Sequence, residues 1–280
     1  MKIKLLICLL SILSLTACSA FVSGNSNKKT VSSSLINYLY PDQQSRVEHK
    51  AETPTLNLPV RVGLAFVPST NNANHLPNAE QIKLLEQVKA SFLQYDYIES
   101  IDVIPSTYLT GTRGFDGLEQ ISRLYDVEVM ALVSYDQVTK SYENKAAVLY
   151  WSIVGMYLIP GNDNVIQTFV DTAVFDIKSR KMLFRAPGIN KVEDSSTAIK
   201  VDKTIQQKSM KSFTVAVDDM VLNLNEELAR FKTRVKEENI AKVTLKKGYS
   251  GGSLTSWWLA LLMGSLIAKV GFKHFLKQKR

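Results

Sequence analysis

The stretch VEVMALVSY, residues 127–135, indicates where the centre of a β-sheet lies. Its apolar residues follow one another almost without interruption, whereas those of VRVGLAF, residues 60–66, alternate with polar or small residues. Strict alternation is typical of a strand with one buried face, and a more continuous apolar run is typical of a strand buried on both faces. We therefore predict that residues 127–135 form a central strand of a sheet.

Helical and extended patterns alternate on the N-terminal side of this stretch. Strands are predicted at 60–66 and 101–104, and a helical stripe of apolar residues follows each one. The stripes are Ile82, Leu85, Val88, Phe92 and Tyr95 in the first helix and Leu118, Ile121, Leu124 and Tyr125 in the second. Strand, helix, strand, helix, strand is the pattern of an α/β layer. Residues 106–114, which contain two glycines, are predicted to be a loop.

The pattern changes on the C-terminal side. A very apolar segment at 146–158 is interpreted as a buried strand, followed by strands at 165–177 and 182–185, a polar loop at 188–195 and one long helix at 196–236. The helix carries an apolar stripe that should pack over the sheet. We predict an α/β (α+β) domain at 59–236, with a mixed sheet of about five to six strands and packing helices.

The N-terminus is a targeting segment. Lys2 and Lys4 precede a short apolar run, as in a secretory signal peptide of residues 1–17. Leu15, Thr16 and Ala17 then lead to Cys18, which matches the lipobox of bacterial lipoproteins. That resemblance implies lipidation (palmitate and diacylglycerol) at Cys18 and, because Ser19 follows, the outer membrane. Residues 18–58 are predicted to be a flexible tether and lead-in, with a short helix at 32–40 before Pro41.

The C-terminus, residues 253–280, is predicted to be one transmembrane helix with a basic cytoplasmic tail. Gly251, Gly252, Ser253 and Thr255 precede an apolar run, and residues 237–252 are predicted to be a basic stalk, with a strand at 240–245. The membrane-interface anchors are Trp257, Trp258, Lys269 and Lys273. Glycines weaken a helix and keep its backbone accessible, which suits a cleavable boundary.

The order Gly-Gly-Ser-x-Thr, apolar helix and basic end resembles the GlyGly-CTERM sorting signal of Gram-negative bacteria. Together with the lipobox, it is similar to the ends of the rhombotarget lipoprotein family. The resemblance implies processing by a rhombosortase, an intramembrane protease, near Gly251 and Gly252, followed by display at the outer membrane or cell surface. It implies no catalytic role. The alternative is an ordinary C-terminal anchor with a glycine linker.

The net charge argues against a nucleic-acid-binding protein, and the cysteine content argues against a fold stabilised by disulfides. The net charge is +8, but two charges belong to the signal peptide and five to the C-terminal tail, which leaves about +1 for residues 18–252. The body therefore offers no electrostatic case for nucleic acid. Only Cys8 and Cys18 are present, so the mature chain would have no intrachain disulfide. We expect no metal and no cofactor, because neither His, Cys and carboxylate spacing nor a nucleotide-binding motif is evident.

The expected function is that of a non-enzymatic envelope lipoprotein. The first alternative is a component of an oligomeric secretion or envelope complex, since the order of elements weakly resembles CsgG-type and TolB-N-like lipoproteins; residues 146–158 would then insert into a membrane. The second is a surface hydrolase, in which Ser69 or Ser106 would have to approach a histidine such as His75. Asp171, Asp176, Asp218 and Asp219 are interpreted as solvated carboxylates whose paired side chains diverge.

Overall fold

The computed structural model describes residues 27–41, 52–69, 76–111 and 113–247. In chain order their elements are β1 (Asn27–Ser32), α1 (Leu35–Leu39), β2 (Thr55–Leu58), β3 (Val60–Phe66), α2 (Asn78–Phe92), β4 (Ile98–Val103), α3 (Ser106–Thr110), α4 (Gly114–Tyr125), β5 (Val129–Glu143), α5 (Ile153–Leu158), β6 (Asn162–Asp176), β7 (Lys181–Ser196), α6 (Val201–Glu238) and β8 (Lys242–Leu245). Short 3-10 helices at Lys145–Trp151 and Ala198–Lys200 precede α5 and α6.

β5 lies at the centre of a six-stranded mixed sheet, as its apolar run predicts. β3 pairs in parallel with both β4 and β5, because helical crossovers join these strands. β6 and β7 continue the sheet as an antiparallel meander on the other side of β5. The prediction of a mixed α/β fold with a meander is therefore confirmed.

The two faces of the sheet carry separate hydrophobic cores, because neighbouring residues of a strand point to opposite faces. In β3, Leu64 and Phe66 enter a core that α2 and α6 cover, whereas Ala65 enters a core that α1 and α4 cover. The apolar stripe predicted for the long helix is confirmed. Its buried members are Phe213, Val217, Met220, Leu224 and Phe231.

The folded body begins earlier than residue 59. β1 pairs antiparallel with β5, from Asn27 opposite Ser141 to Ser32 opposite Asp136. α1 then buries its Tyr38 and Leu39 in the second core. The prediction of a flexible tether is therefore wrong for β1, whereas the short helix predicted at 32–40 is confirmed as α1. β1 lies beyond the end of β3, beside a part of β5 whose buried residues are the polar Gln137, Thr139 and Ser141.

The folded body also ends later than residue 236. β8 pairs in parallel with β2, from Thr55 opposite Lys242 to Leu58 opposite Leu245. The prediction of a stalk over 237–252 is corrected at least as far as Lys246, whose backbone N–H donates to the Leu58 carbonyl at 2.8 Å. The strand suspected at 240–245 is confirmed.

The apolar segment at 146–158 is not a buried strand, as we had predicted. It forms the 3-10 helix at Lys145–Trp151 and then α5, at the tip of the long hairpin between β5 and β6. The polar loop predicted at 188–195 is also wrong, because these residues belong to β7, which extends to Ser196. Likewise, α3 and the start of α4 occupy the loop predicted at 106–114.

No helix within the described ranges combines the length and the hydrophobicity needed to cross a membrane. The predicted signal peptide at 1–17 and the predicted transmembrane helix at 253–280 both lie outside the described residues.

Candidate ligand-binding cavity

The processing sites predicted from the two termini lie outside the described residues. These are Leu15, Thr16, Ala17 and Cys18 at one end, and Gly251, Gly252, Ser253, Thr255, Trp257, Trp258, Lys269 and Lys273 at the other. They stay predictions.

The two candidate nucleophiles are engaged in local structure. The Ser69 hydroxyl donates to the Ser32 carbonyl at 2.9 Å, and the Ser106 hydroxyl lies 3.5 Å from the Asn78 side-chain oxygen. The chain's three histidines, His49, His75 and His274, fall outside the described residues. Within the described ranges, no cluster of three or more histidine, cysteine or carboxylate side chains could hold a metal.

Asp171 and Asp176 are not the solvated carboxylates that we expected, since both are buried. Asp171 pairs with Arg185 at 3.0 Å, and Asp176 accepts a hydrogen bond from the Ser179 backbone N–H at 3.0 Å. Burial raises the pKa of Asp171, and the neighbouring Arg185 opposes that shift. These carboxylates hold strands and turns together and do not form a catalytic pair.

Asp218 and Asp219 do diverge, as adjacent residues of a helix should. Asp218 accepts a hydrogen bond from Gln87 of α2, whereas Asp219 accepts one from the Ile189 backbone N–H of β7 at 3.0 Å. The pair therefore ties α6 to two different neighbours.

A large apolar cavity lies on the α6 face of the sheet, towards the ends where β3 and β5 begin. Its volume is about 1350 Å³. The sheet contributes the floor, the C-terminal half of α6 and the end of α2 contribute the roof, and the β2–β8 ribbon closes one side. The wall residues include Val62, Leu64, Ile101, Val129, Ala131, Val174, Val88, Phe92, Leu224, Leu228, Phe231, Leu56 and Leu58.

The cavity exists because α6 is close to the sheet along only part of its length. At Gly188 of β7 a Cβ atom would collide with the Ala216 carbonyl oxygen and would lie 2.7 Å from the Met220 Cβ. Helix and strand therefore touch backbone to backbone there. From Leu224 onwards, side chains of α6 line an open space, and Phe231 reaches Phe184 of β7 with ring centroids 5.2 Å apart.

Aromatic and basic residues form the polar rim, which we call the mouth. Tyr95 and Tyr97 stack with ring centroids 5.1 Å apart, and the Lys232 ammonium lies 4.1 Å from the centre of the Tyr97 ring. Lys236 and Lys242 also line the cavity, whereas Asp96 is the one acidic residue among its lining residues. The mouth therefore carries net positive charge.

The β2–β8 ribbon is anchored at the base of the sheet by ion pairs. Lys246 lies 2.8 Å from Glu99 and 3.0 Å from Glu128. Burial alone would lower the pKa of Lys246, but the hydrogen bonds to these two carboxylates raise it overall. The hydrogen bond from Lys246 also lowers the pKa of Glu99. These pairs fix the ribbon that closes the cavity.

The sequence contained no direct signal for this cavity. Leu224, Leu228 and Phe231 recur at the spacing of an ordinary core stripe, and periodicity reports which residues face inward, not whether the space between them is filled. The combination of Tyr95, Tyr97 and Lys232 was not predictable either, because it unites residues that lie far apart in sequence.

No protein-family model matches the chain, and no curated protein is similar to it in sequence. Among solved structures, a neuraminyllactose-binding hemagglutinin homolog from Helicobacter pylori aligns with 10% identity, a TM-score of 0.37, and coverage of 68% of this chain and 95% of the other.

Two further solved structures are more distant in TM-score. A PelC dodecamer from Paraburkholderia phytofirmans gives 8% identity, a TM-score of 0.26, and coverage of 70% of this chain and 99% of the other. The hypothetical protein CT253 from Chlamydia trachomatis gives 14% identity, a TM-score of 0.25, and coverage of 63% and 95%. At these values the likenesses assign no function to the chain.

Proposed function

We propose that this protein is a non-enzymatic envelope lipoprotein whose body binds an amphiphile with long apolar chains and an anionic head group. The observation that carries the binding proposal is the cavity of about 1350 Å³ between α6 and the sheet. Apolar chains would lie against Val62, Ala131 and Leu228, and the head group would lie at the mouth.

The volume of the cavity and the chemistry of its lining residues favour this class of ligand. Pockets for drug-sized molecules measure about 300–1,000 Å³, so this cavity is larger than a compact small molecule needs. Its floor offers aliphatic side chains, which favour hydrocarbon over polar ligands. Lys232, Lys236 and Lys242 would attract a carboxylate or phosphate and would disfavour a cationic head group.

The binding proposal is tested with cis-parinaric acid, an anionic chain whose fluorescence rises when it leaves water. The body is produced as residues 19–247, which contain every described helix and strand. We expect saturable binding that Ala131→Phe and Leu228→Trp each abolish, because they fill the cavity from opposite walls. Lys232→Glu combined with Lys236→Glu should weaken binding about tenfold, which equals about 1.4 kcal/mol.

The matched control for charge is Lys211→Glu, on the exposed surface of the same helix but outside the cavity. It should leave the affinity unchanged. Circular dichroism and thermal unfolding verify that each variant is folded. Equal binding by the wild type and both cavity-filling variants would refute the cavity as the binding site.

The two terminal motifs support a location in the cell envelope. The lipobox ending at Cys18 supports export and lipid attachment, and the motif at Gly251 and Gly252 supports C-terminal cleavage by a rhombosortase-type protease. Multiple acyl chains suffice for stable membrane anchoring. The C-terminal helix is then redundant as an anchor, which favours a role in processing and display at the outer membrane or cell surface.

Intact mass spectrometry of the protein from its own host, with and without the rhomboid-type protease, tests location. We expect the mature mass to lack residues 1–17, to carry lipid at Cys18 and to lack the residues after the Gly-Gly motif. In the protease-deficient strain the C-terminal residues should remain. A mass that retains Arg280 in both strains would refute the sorting signal, and an unmodified Cys18 would refute the lipoprotein assignment.

A further inference from the structure

The two ends of the central sheet differ in what they present to solvent. At one end lie the starts of β3 and β5, the cavity mouth and Lys246, whose ammonium pairs with Glu128. At the other end lies the hairpin tip, residues 144–161, between β5 and β6. From Glu128 to Ser141 the chain advances 13 residues, which separates the two ends by about 40 Å.

The N-terminal segment leaves the body at the tip end. β1 runs antiparallel to β5 and begins at Asn27, opposite Ser141, two residues before β5 ends. The N-terminal end of β1 therefore points towards the tip. Asn27 comes nine residues after Cys18, so the connection between them spans no more than about 30 Å.

The tip is held in shape by polar contacts. Asn144 accepts a hydrogen bond from the Ala146 backbone N–H at 2.9 Å and donates to Asp163 at 3.0 Å. The Tyr150 hydroxyl accepts hydrogen bonds from the Gly161 backbone N–H and the Asn162 side chain, both at 2.8 Å. These hydrogen bonds hold the tip in shape, while several of its apolar side chains stay exposed.

Those apolar side chains face outward. The exposed fractions are 55% for Leu149, 65% for Val154, 53% for Tyr157 and 73% for Leu158. Ile199, from the neighbouring 3-10 helix, is 50% exposed. Clustered exposed apolar residues on an ordered support are typical of an interaction surface. Exposed charges of both signs stand beside them in sequence, namely Lys145 and Lys200 together with Glu143 and Asp202.

We infer that the hairpin tip rests on the membrane that holds the acyl chains of Cys18. This inference depends on the lipidation proposed above. The short connection from Cys18 to Asn27 keeps the tip close to that bilayer, and Leu149, Val154, Tyr157 and Leu158 suit its interfacial region. Lys145 and Lys200 suit the phosphate groups of lipids.

Contact between the tip and the bilayer would give the body a defined orientation relative to the membrane. With the tip on the bilayer, the sheet stands away from it and the cavity mouth lies about 40 Å further out. The amphiphile site is then accessible to a facing surface or a partner and not to the lipids of the anchoring membrane. The β2–β8 end, from which the chain continues towards Gly251, also lies at this distal end.

The test places an environment-sensitive nitrobenzoxadiazole (NBD) label at the tip of the full chain. Cys8 leaves with the signal peptide and the Cys18 sulfur carries lipid, so Leu158→Cys provides the one free thiol of the mature protein. The protein from its own host is reconstituted into vesicles of phosphatidylethanolamine and phosphatidylglycerol, with or without nitroxide-labelled lipid. Mass spectrometry reports the state of Cys18 in the same sample.

Leu124→Cys is the matched control, because Leu124 is 68% exposed on α4 at the opposite end of the sheet. We expect blue-shifted emission at position 158 and about threefold stronger quenching there than at 124, because interfacial groups lie about 5–10 Å within the head-group boundary.

Each other outcome overturns the inference. Lipidated protein with equal quenching at positions 158 and 124 would contradict tip contact and leave the lipoprotein assignment intact. Blue-shifted emission without lipid quenching would mean that the tip is covered by protein, as in an oligomeric envelope complex. An unmodified Cys18 would remove both the lipoprotein assignment and the orientation that depends on it.

Discussion

The two halves of α6 pack against the same sheet in opposite ways. In the N-terminal half, Ala216 and Met220 lie directly on Gly188 of β7, where no Cβ atom fits. In the C-terminal half, Leu224, Leu228 and Phe231 line a cavity of about 1350 Å³. Both halves have apolar stripes of similar spacing, so hydrophobicity does not account for the difference.

The contrast shows how a rigid helix supports an open site. Close backbone contact at Gly188 fixes the height of α6 above the sheet at that point, and the same helix continues over the cavity. Protein interiors are normally close-packed, and unfilled volume costs stability. The tightly packed half therefore stabilises the helix that covers the loosely packed half, where space is available for a ligand.

The largest effect is expected where helix and strand are in closest contact. Gly188→Ala should lower the free energy of unfolding by about 3 kcal/mol, because the new methyl group would collide with the backbone of α6 at Ala216. Urea unfolding of the body, followed by circular dichroism, measures this change. The same substitution should also weaken binding of cis-parinaric acid, since it displaces the helix that covers the cavity.

Gly111→Ala is the control for the loss of a glycine. A Cβ atom at Gly111 would meet nothing within 4 Å. Its effect on the free energy of unfolding should stay within about 0.5 kcal/mol, as is usual for surface substitutions. Similar destabilisation by the two variants would mean that the contact at Gly188 does not determine the height of α6.

A smaller effect is expected from two adjacent residues of β3 that face opposite cores. At Gly63, on the α4 side, an added Cβ would lie 2.9 Å from Ile104 and against the Met130 sulfur. Gly63→Ala should therefore cost about 1–2 kcal/mol. Val62 faces the cavity, so Val62→Leu adds a methylene where there is space and should cost less than about 0.5 kcal/mol.

Differential scanning calorimetry of these two variants compares the two faces directly. The melting temperature of Gly63→Ala should fall, while that of Val62→Leu should stay close to that of the wild type. An equal fall for both would show that the cavity face is as closely packed as the other face, and the binding proposal would lose its physical basis.

The hydrophobic pattern of the sequence predicted helices and strands correctly where one side of the element meets solvent or where both sides are buried. β3, β5 and the stripe of α6 follow from period and composition alone. The same pattern was misleading where contacts with residues far away in the chain determine the structure of a segment. β1, with the sequence NKKTVS, is a strand because β5 extends beyond β3 and offers it an edge. Residues 146–158 resembled core in composition yet form an exposed tip.

By itself, the sequence determined the mixed α/β class, the central strand and the long covering helix, because each depends on local periodicity and on which residues avoid water. It also supplies the terminal motifs at Cys18 and Gly251 on which the proposals for processing depend. Only the tertiary structure decided the positions of β1 and β8, the cavity with Lys232 at its mouth, and the ends of the sheet at which Asn27 and Lys246 lie. These features arise from contacts between residues far apart in the chain and from volume left unfilled, neither of which local periodicity records.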